Sequence, residues 1–184
     1  MSIAVAIAVF VLLWLGYSFY RASSRLRRGA RQLDEAWREV EEALRQRDRA
    51  LDEFAAALAR LGLVPRGREA LAEALSEIRR ARAEGPVALA EADDRLNLVL
   101  REIYGALPRS RPAELKEAQN ALAEAEEELD LSRRHYNELV AAWNALFARW
   151  SYRRMADRLD LGKREFYLLP GEEAEFIRQQ GPLV

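Results

Sequence analysis

The chain has 184 residues, a formal net charge of -1 and no cysteine. That length fits one domain plus an appendage, and the balanced charge leaves no global basic field to recruit nucleic acid. Without cysteine there can be no disulfide scaffold, thiolate metal site or cysteine nucleophile.

Ile3 to Tyr20, "IAVAIAVFVLLWLGYSFY", carries no charge and is long enough as a helix to cross a bilayer core of about 30 Å. Trp14, Tyr17 and Tyr20 gather at its downstream end, where amphipathic rings favour the headgroup layer. Arg21, Arg25, Arg27, Arg28 and Arg31 follow, with no acid before Asp34. Positive charge beside a span is retained on the cytoplasmic side. The expectation is a single-pass protein of the plasma (inner) membrane, in contact with the lipid bilayer. Residues 1–22 would supply the transmembrane helix and a short external N-terminus, with the remainder cytoplasmic. A cleaved secretory signal fits less well, because the front end lacks Lys and Arg, the apolar run is too long and no clean Ala-x-Ala site follows.

From Leu26 onward the apolar positions alternate steps of four and three: Leu26, Ala30, Leu33, Trp37, Val40, Leu44, Arg47, Leu51, Phe54, Leu58 and Leu61. This is a heptad seam without proline, and it predicts a helix continuous with the apolar run, a rod of roughly 85 Å. "GLVPRG" (62–67) ends it with Gly at the stop and Pro just beyond. A shorter helix carries Leu71, Leu75, Ile78 and Ala81 on one face and closes at "EGP" (84–86). A third presents Leu89, Ala92, Leu96, Val99, Ile103 and Leu107, then breaks at "PRSRP" (108–112). The fourth is long again, with a seam from Leu115 through Leu122, Leu129, Tyr136 and Trp143 to Trp150. Short connections make successive helices antiparallel neighbours. The predicted fold is therefore all-α: an N-terminal transmembrane helix followed by an antiparallel long-short-short-long four-helix bundle over residues 23–159. The tail, 160–184, has room for a short helix from about Glu172 to Gln179.

Within "RRHYNELVAAWNALFARW" (133–150) the seam claims Tyr136, Trp143 and Trp150 for packing, while Asn137 and Asn144 lie beside it and recur after seven residues. Such flanking positions serve register and hydrogen bonding. His135, the single histidine, falls off the apolar face. A di-metal carboxylate signature needs an acid three residues before a histidine, and position 132 is Ser. With one histidine, nucleophilic triads and zinc sites lack ligands and partners, and no glycine-rich phosphate loop occurs. No catalytic residue, metal or cofactor is expected. Arg47 alone breaks the apolar seam and must be paired or reach water along its stem. If Leu61 and Pro112 mark the far ends of the two long helices, antiparallel pairing sets Arg47 level with Glu126. An Arg47–Glu126 ion pair that fixes register and simple snorkelling of Arg47 are both open.

"LDEAWREVEEALRQRDRALDEF" (33–54), which contains Trp37, and "SRRHYNELVAAWNALFARWSYRRMADRLDLGKREFY" (132–167) resemble the LemA family. The second stretch is the more specific, through Arg133, Tyr136, Asn137, Asn144, Ala156, Lys163, Arg164, Glu165 and Phe166. The resemblance implies a membrane-anchored antiparallel helical bundle with no assigned activity. The chain departs from the family's pattern at Leu51–Phe54 and at Arg149–Trp150, where the family tends to carry proline, so its long helices should be straighter.

These readings predict a membrane-anchored cytoplasmic bundle that acts as a scaffold or accessory protein by association, as a homo-oligomer or with a membrane-protein partner. The alternative is a peripheral protein that binds and shapes lipid surfaces through its arginines.

Overall fold

A computed structural model describes residues 3–172 and residue 176, with the backbone alone for residues 3–8, 11 and 15. Five helices follow one another: α1 (Ile3–Arg60), α2 (Pro65–Glu84), α3 (Pro86–Ala106), α4 (Ala113–Leu146) and α5 (Trp150–Arg158). The apolar run and the first heptad seam form one unbroken helix, as the absence of proline permits.

The predicted transmembrane helix is not supported. Among the described residues, no helix is long and apolar enough to cross a membrane. A span needs about 20 consecutive apolar residues. The apolar part of α1 whose side chains are described begins at Val9 and meets Arg21, and its upstream side chains lie outside the described residues. The single-pass topology, the membrane assignment and the inner-membrane localisation fall with that span. Trp14, Tyr17 and Tyr20, expected at a lipid interface, are exposed side chains on α1, as are Arg21, Arg25, Arg27 and Arg28.

The long-short-short-long order holds for α1 to α4. Every seam position from Leu26 to Leu58 in α1, and Leu61 just beyond it, is buried or half-buried. Beside the seam runs a second buried row, Ala36, Ala43, Ala50 and Ala57, whose small side chains let neighbouring helices approach. The two rows together form a face wide enough to take more than one partner. Gly62 closes α1 in the left-handed region (φ 64°). The Leu63 N–H bonds the Leu58 carbonyl at 2.9 Å and the Gly62 N–H that of Ala59 at 3.1 Å, so the last carbonyls are satisfied before Pro65 opens α2. Gly85 (φ 119°) is the whole connection between α2 and α3.

α1 and α4 make the principal pairing, and they are antiparallel. Arg60 meets Glu114 at one end, Trp37 stacks on Tyr136 with ring centroids 5.0 Å apart, and a Cβ on Gly29 would lie 3.1 Å from the Trp143 ring. α2 docks on α1 through Arg82–Asp48 (2.9 Å) and Arg79–Asp52 (3.5 Å), and on α3 through Arg95–Glu77 (2.7 Å).

The fourth helix differs from expectation at its end. α4 stops at Leu146, and three residues of turn separate it from α5. That turn destroys the heptad phase, so Trp150 leaves the seam and is 67% exposed, with the Arg154 guanidinium over its ring. α5 returns against α1, where Arg158 lies over the Phe19 ring. It ends at Arg158, and just beyond it Asp160 is held at φ 54° while the Leu161 N–H reaches back to the Ala156 carbonyl (2.9 Å). The short helix expected at Glu172 to Gln179 falls largely outside the described residues.

Candidate functional site: a clamped tail over a buried ion pair

α4 presents a polar ladder along the edge of the face that packs on α1. Asn137 and Asn144 are separated by two turns, or about 10.5 Å of helix. Two residues three apart in an extended chain are separated by about 10 Å. The chain after α5 exploits this match. The Asn144 Nδ2 donates to the Arg164 carbonyl (2.9 Å) and its Oδ1 accepts from the Arg164 N–H (3.0 Å). Asn137 repeats the arrangement on Tyr167, at 2.8 Å in both directions. Each side-chain amide thus acts as a peptide group would in a neighbouring strand. Between and beyond them, Trp143 Nε1 donates to the Gly162 carbonyl (2.8 Å) and the Tyr136 hydroxyl to the Glu165 carbonyl (3.0 Å). Residues 162–167 are therefore read through their backbone, running antiparallel to α4.

Arg133 finishes the ladder. It is 6% exposed, donates to Asp130 (2.6 Å) and grips both oxygens of Glu172, and its guanidinium lies 5.9 Å from the centre of the Tyr167 ring. Glu172 also accepts from the Leu169 N–H (3.0 Å), which folds the chain back at the end of the clamp. Burial works against the Arg133 charge, but its hydrogen bonds to Glu172 and Asp130 outweigh it and hold its pKa above the usual arginine range. The same contact, opposed by partial burial, keeps the Glu172 carboxyl below its ordinary value.

The clamp aims one side chain inward. Tyr167 is fully buried, edge-on to Trp37 with centroids 6.4 Å apart. Its hydroxyl donates to Asp93, and the other oxygen of Asp93 accepts from Arg47. Asp93 and Arg47 are 3% and 4% exposed, so the Arg47–Asp93–Tyr167 chain crosses the core from α1 through α3 to the tail. Burial disfavours the Arg47 charge, yet the facing Asp93 carboxylate more than compensates and its pKa stays raised. Burial, and next the Asp93 charge, push the Tyr167 hydroxyl well above its usual value, so it remains a neutral donor. Arg47 Nε is left without a partner.

This geometry corrects the expected partner of Arg47. The predicted register is right: with Trp37 facing Tyr136 and Arg60 facing Glu114, Arg47 stands level with Glu126. Its guanidinium nevertheless turns to Asp93 on α3. Glu126 feels the Arg47 charge without a direct contact, and burial dominates to raise its pKa. A reading built on the two long helices alone has no place for a third. The signal for Asp93 was its position beside Ala92 and Leu96 in α3, a helix that must face both α1 and α2.

Of the residues singled out in the sequence, Trp37, Arg47, Arg133, Tyr136, Asn137 and Asn144 come together around the tail, with Glu126 at the rim of the buried pair. His135 is exposed on the far side of α4. Asp93, Tyr167 and Glu172 complete the site and were not singled out for it. Chemically the site is closed. Asp93 has both oxygens occupied by protein donors, and among the described residues no three His, Asp or Glu side chains converge as a metal site would need. The arrangement holds a chain segment. No family model matches this chain, and no curated protein matches it.

Proposed function

We propose that this protein works without catalysis, as a helical bundle that associates with other chains, its first partner being a second copy of itself. One observation carries the reading. α1 runs on past the bundle, and there Val9, Phe10, Leu12, Leu13, Trp14, Tyr17, Phe19 and Tyr20 are all exposed, between 48% and 71%. Apolar side chains on every side of a helix call for burial against something else. The bundle supplies a rigid mount, because the clamp and the buried ion pair fasten α1, α3, α4 and the tail to one another. The likeness to LemA proteins belongs to this reading, since Arg133, Tyr136, Asn137 and Asn144, on which it rests, are here the residues that grip the tail.

Sedimentation of the full chain in a mild non-ionic detergent tests the proposal. Wild type should sediment as an oligomer, and a Phe10→Arg, Leu13→Arg double variant as a monomer. A wild-type chain that is monomeric at all concentrations and yields no crosslinked product contradicts it.

A further inference from the structure

Where α1 leaves the bundle, a groove of about 700 Å³ opens between it and the end of α4. Its floor is apolar, formed by Leu33 of α1 and by Leu139, Trp143 and Leu146 of α4. One wall carries Arg21, Arg25 and Arg28, spaced by four and three so that they share a face of the helix. None of the three takes part in an ion pair among the described residues. Asp34, the first acid downstream, is already paired with Arg164 at 3.1 Å. The contacts these arginines do make are weak and local: Arg21 to the Tyr17 hydroxyl and Arg28 to Ser24, each at 3.4 Å. Three guanidinium groups thus stand over a greasy floor with most of their donors free.

The geometry points to a site for one anionic amphiphile, a lipid with a phosphate monoester headgroup. Its phosphate lies along Arg21, Arg25 and Arg28, and its acyl chains lie on Trp143, Leu139 and Leu146. The guanidinium fork matches phosphate oxygens in shape as well as charge, and the apolar floor takes the chains out of water. A phosphate without chains would leave the floor wet, and chains without a phosphate would leave the arginines unanswered. The site borders the exposed stretch that would carry self-association, sharing Tyr17 and Tyr20 with it, and it uses arginines which that reading leaves idle.

Titration calorimetry on the full chain, with soluble short-chain lipids below their micelle concentration, tests the assignment. Dihexanoyl phosphatidic acid should bind saturably, and about tenfold or more tighter than dihexanoyl phosphatidylcholine or inorganic phosphate. Arg25→Gln should weaken it about tenfold. Ala142→Trp, which fills the groove from α4 and touches no arginine, should weaken it at least as much. Arg31→Gln, outside the groove on the same helix, should leave it unchanged. Equal affinity for the charged and neutral lipids would show plain adsorption to apolar surface, and equal affinity for inorganic phosphate would show an anion site only. A loss with Arg31→Gln matching that of Arg25→Gln would show diffuse charge attraction. Any of these three results overturns the proposal. Oligomerisation, read separately by sedimentation, is not at stake in them.

Discussion

The middle and the open end of the α1–α4 pair are built on opposite terms. Toward its middle, around Asp93 and Tyr167, nearly every buried polar atom has a partner, and even the backbone of the tail is matched by side-chain amides. Toward its open end, α1 shows aromatic and aliphatic residues to solvent, and arginines without acids. The contrast separates what holds this molecule together from what it has to offer. Polar groups taken out of water must be satisfied within the chain, and at the clamp they are. Apolar and cationic groups left outside are available for other molecules. Variants in the first region should therefore change stability, and variants in the second should change association while leaving stability within about 0.5 kcal/mol of wild type.

The largest effect is expected at the buried ion pair. Asp93→Ala strands the Arg47 charge in the core and takes the acceptor from Tyr167, which should cost about 3–5 kcal/mol and lower Tm by roughly 10 °C. Adding Arg47→Met to Asp93→Ala should recover most of that loss, because an apolar pair removes the unpaired charge. Thermal unfolding followed by circular dichroism reads both. A double variant no better than Asp93→Ala would show that the pair contributes more than mutual neutralisation.

Next in size is the ladder. Asn137→Ala deprives the buried Tyr167 N–H of its partner and leaves its carbonyl only the longer bond from Arg133 (3.4 Å), and should cost about 2–3 kcal/mol. Asn144→Ala makes the same deletion where water can replace the lost bonds and should cost about 1 kcal/mol or less. Equal losses at the two positions would mean that burial does not grade the clamp as described.

Glu126 should give the smallest effect, and of opposite sign. Burial raises its folded-state pKa. The stability linked to its protonated form is thus present below the unfolded value and lost as pH rises through the folded one. Glu126→Gln should be more stable than wild type at pH 7, by a few tenths of a kcal/mol given the partial exposure of the group, and the gain should vanish below about pH 4. If Glu126 were instead the working partner of Arg47, the substitution would destabilise at neutral pH.

Much of this architecture is legible in the amino-acid order. Heptad spacing locates the faces of all four bundle helices, and Gly62, Pro65, Gly85 and Pro86 mark the connections. The antiparallel register follows from aligning the ends of the long helices. What escapes has identifiable causes. Asp93 lies on the same buried face of α3 as Leu89, Leu96 and Leu100, but its charge hides it from a reading that follows apolar spacing alone. Phe147 to Arg149 contains neither Gly nor Pro, and nothing in it announces the turn that carries Trp150 out of the core. The seven-residue recurrence of Asn137 and Asn144 is visible, but its meaning needs the extended segment that matches it in length. At the other end, the composition of residues 3–20 reads as a membrane span, whereas the described part of α1 does not provide one.

The clamped tail, residues 162–167, is most open to direct measurement through amide hydrogen exchange at Tyr167. Held by Asn137, that N–H should exchange about as slowly as the core amides of α4, and Asn137→Ala should release it while the α1 and α4 amides stay protected. A Tyr167 amide that exchanges at the rate of a free chain, or one indifferent to Asn137→Ala, would contradict the clamp.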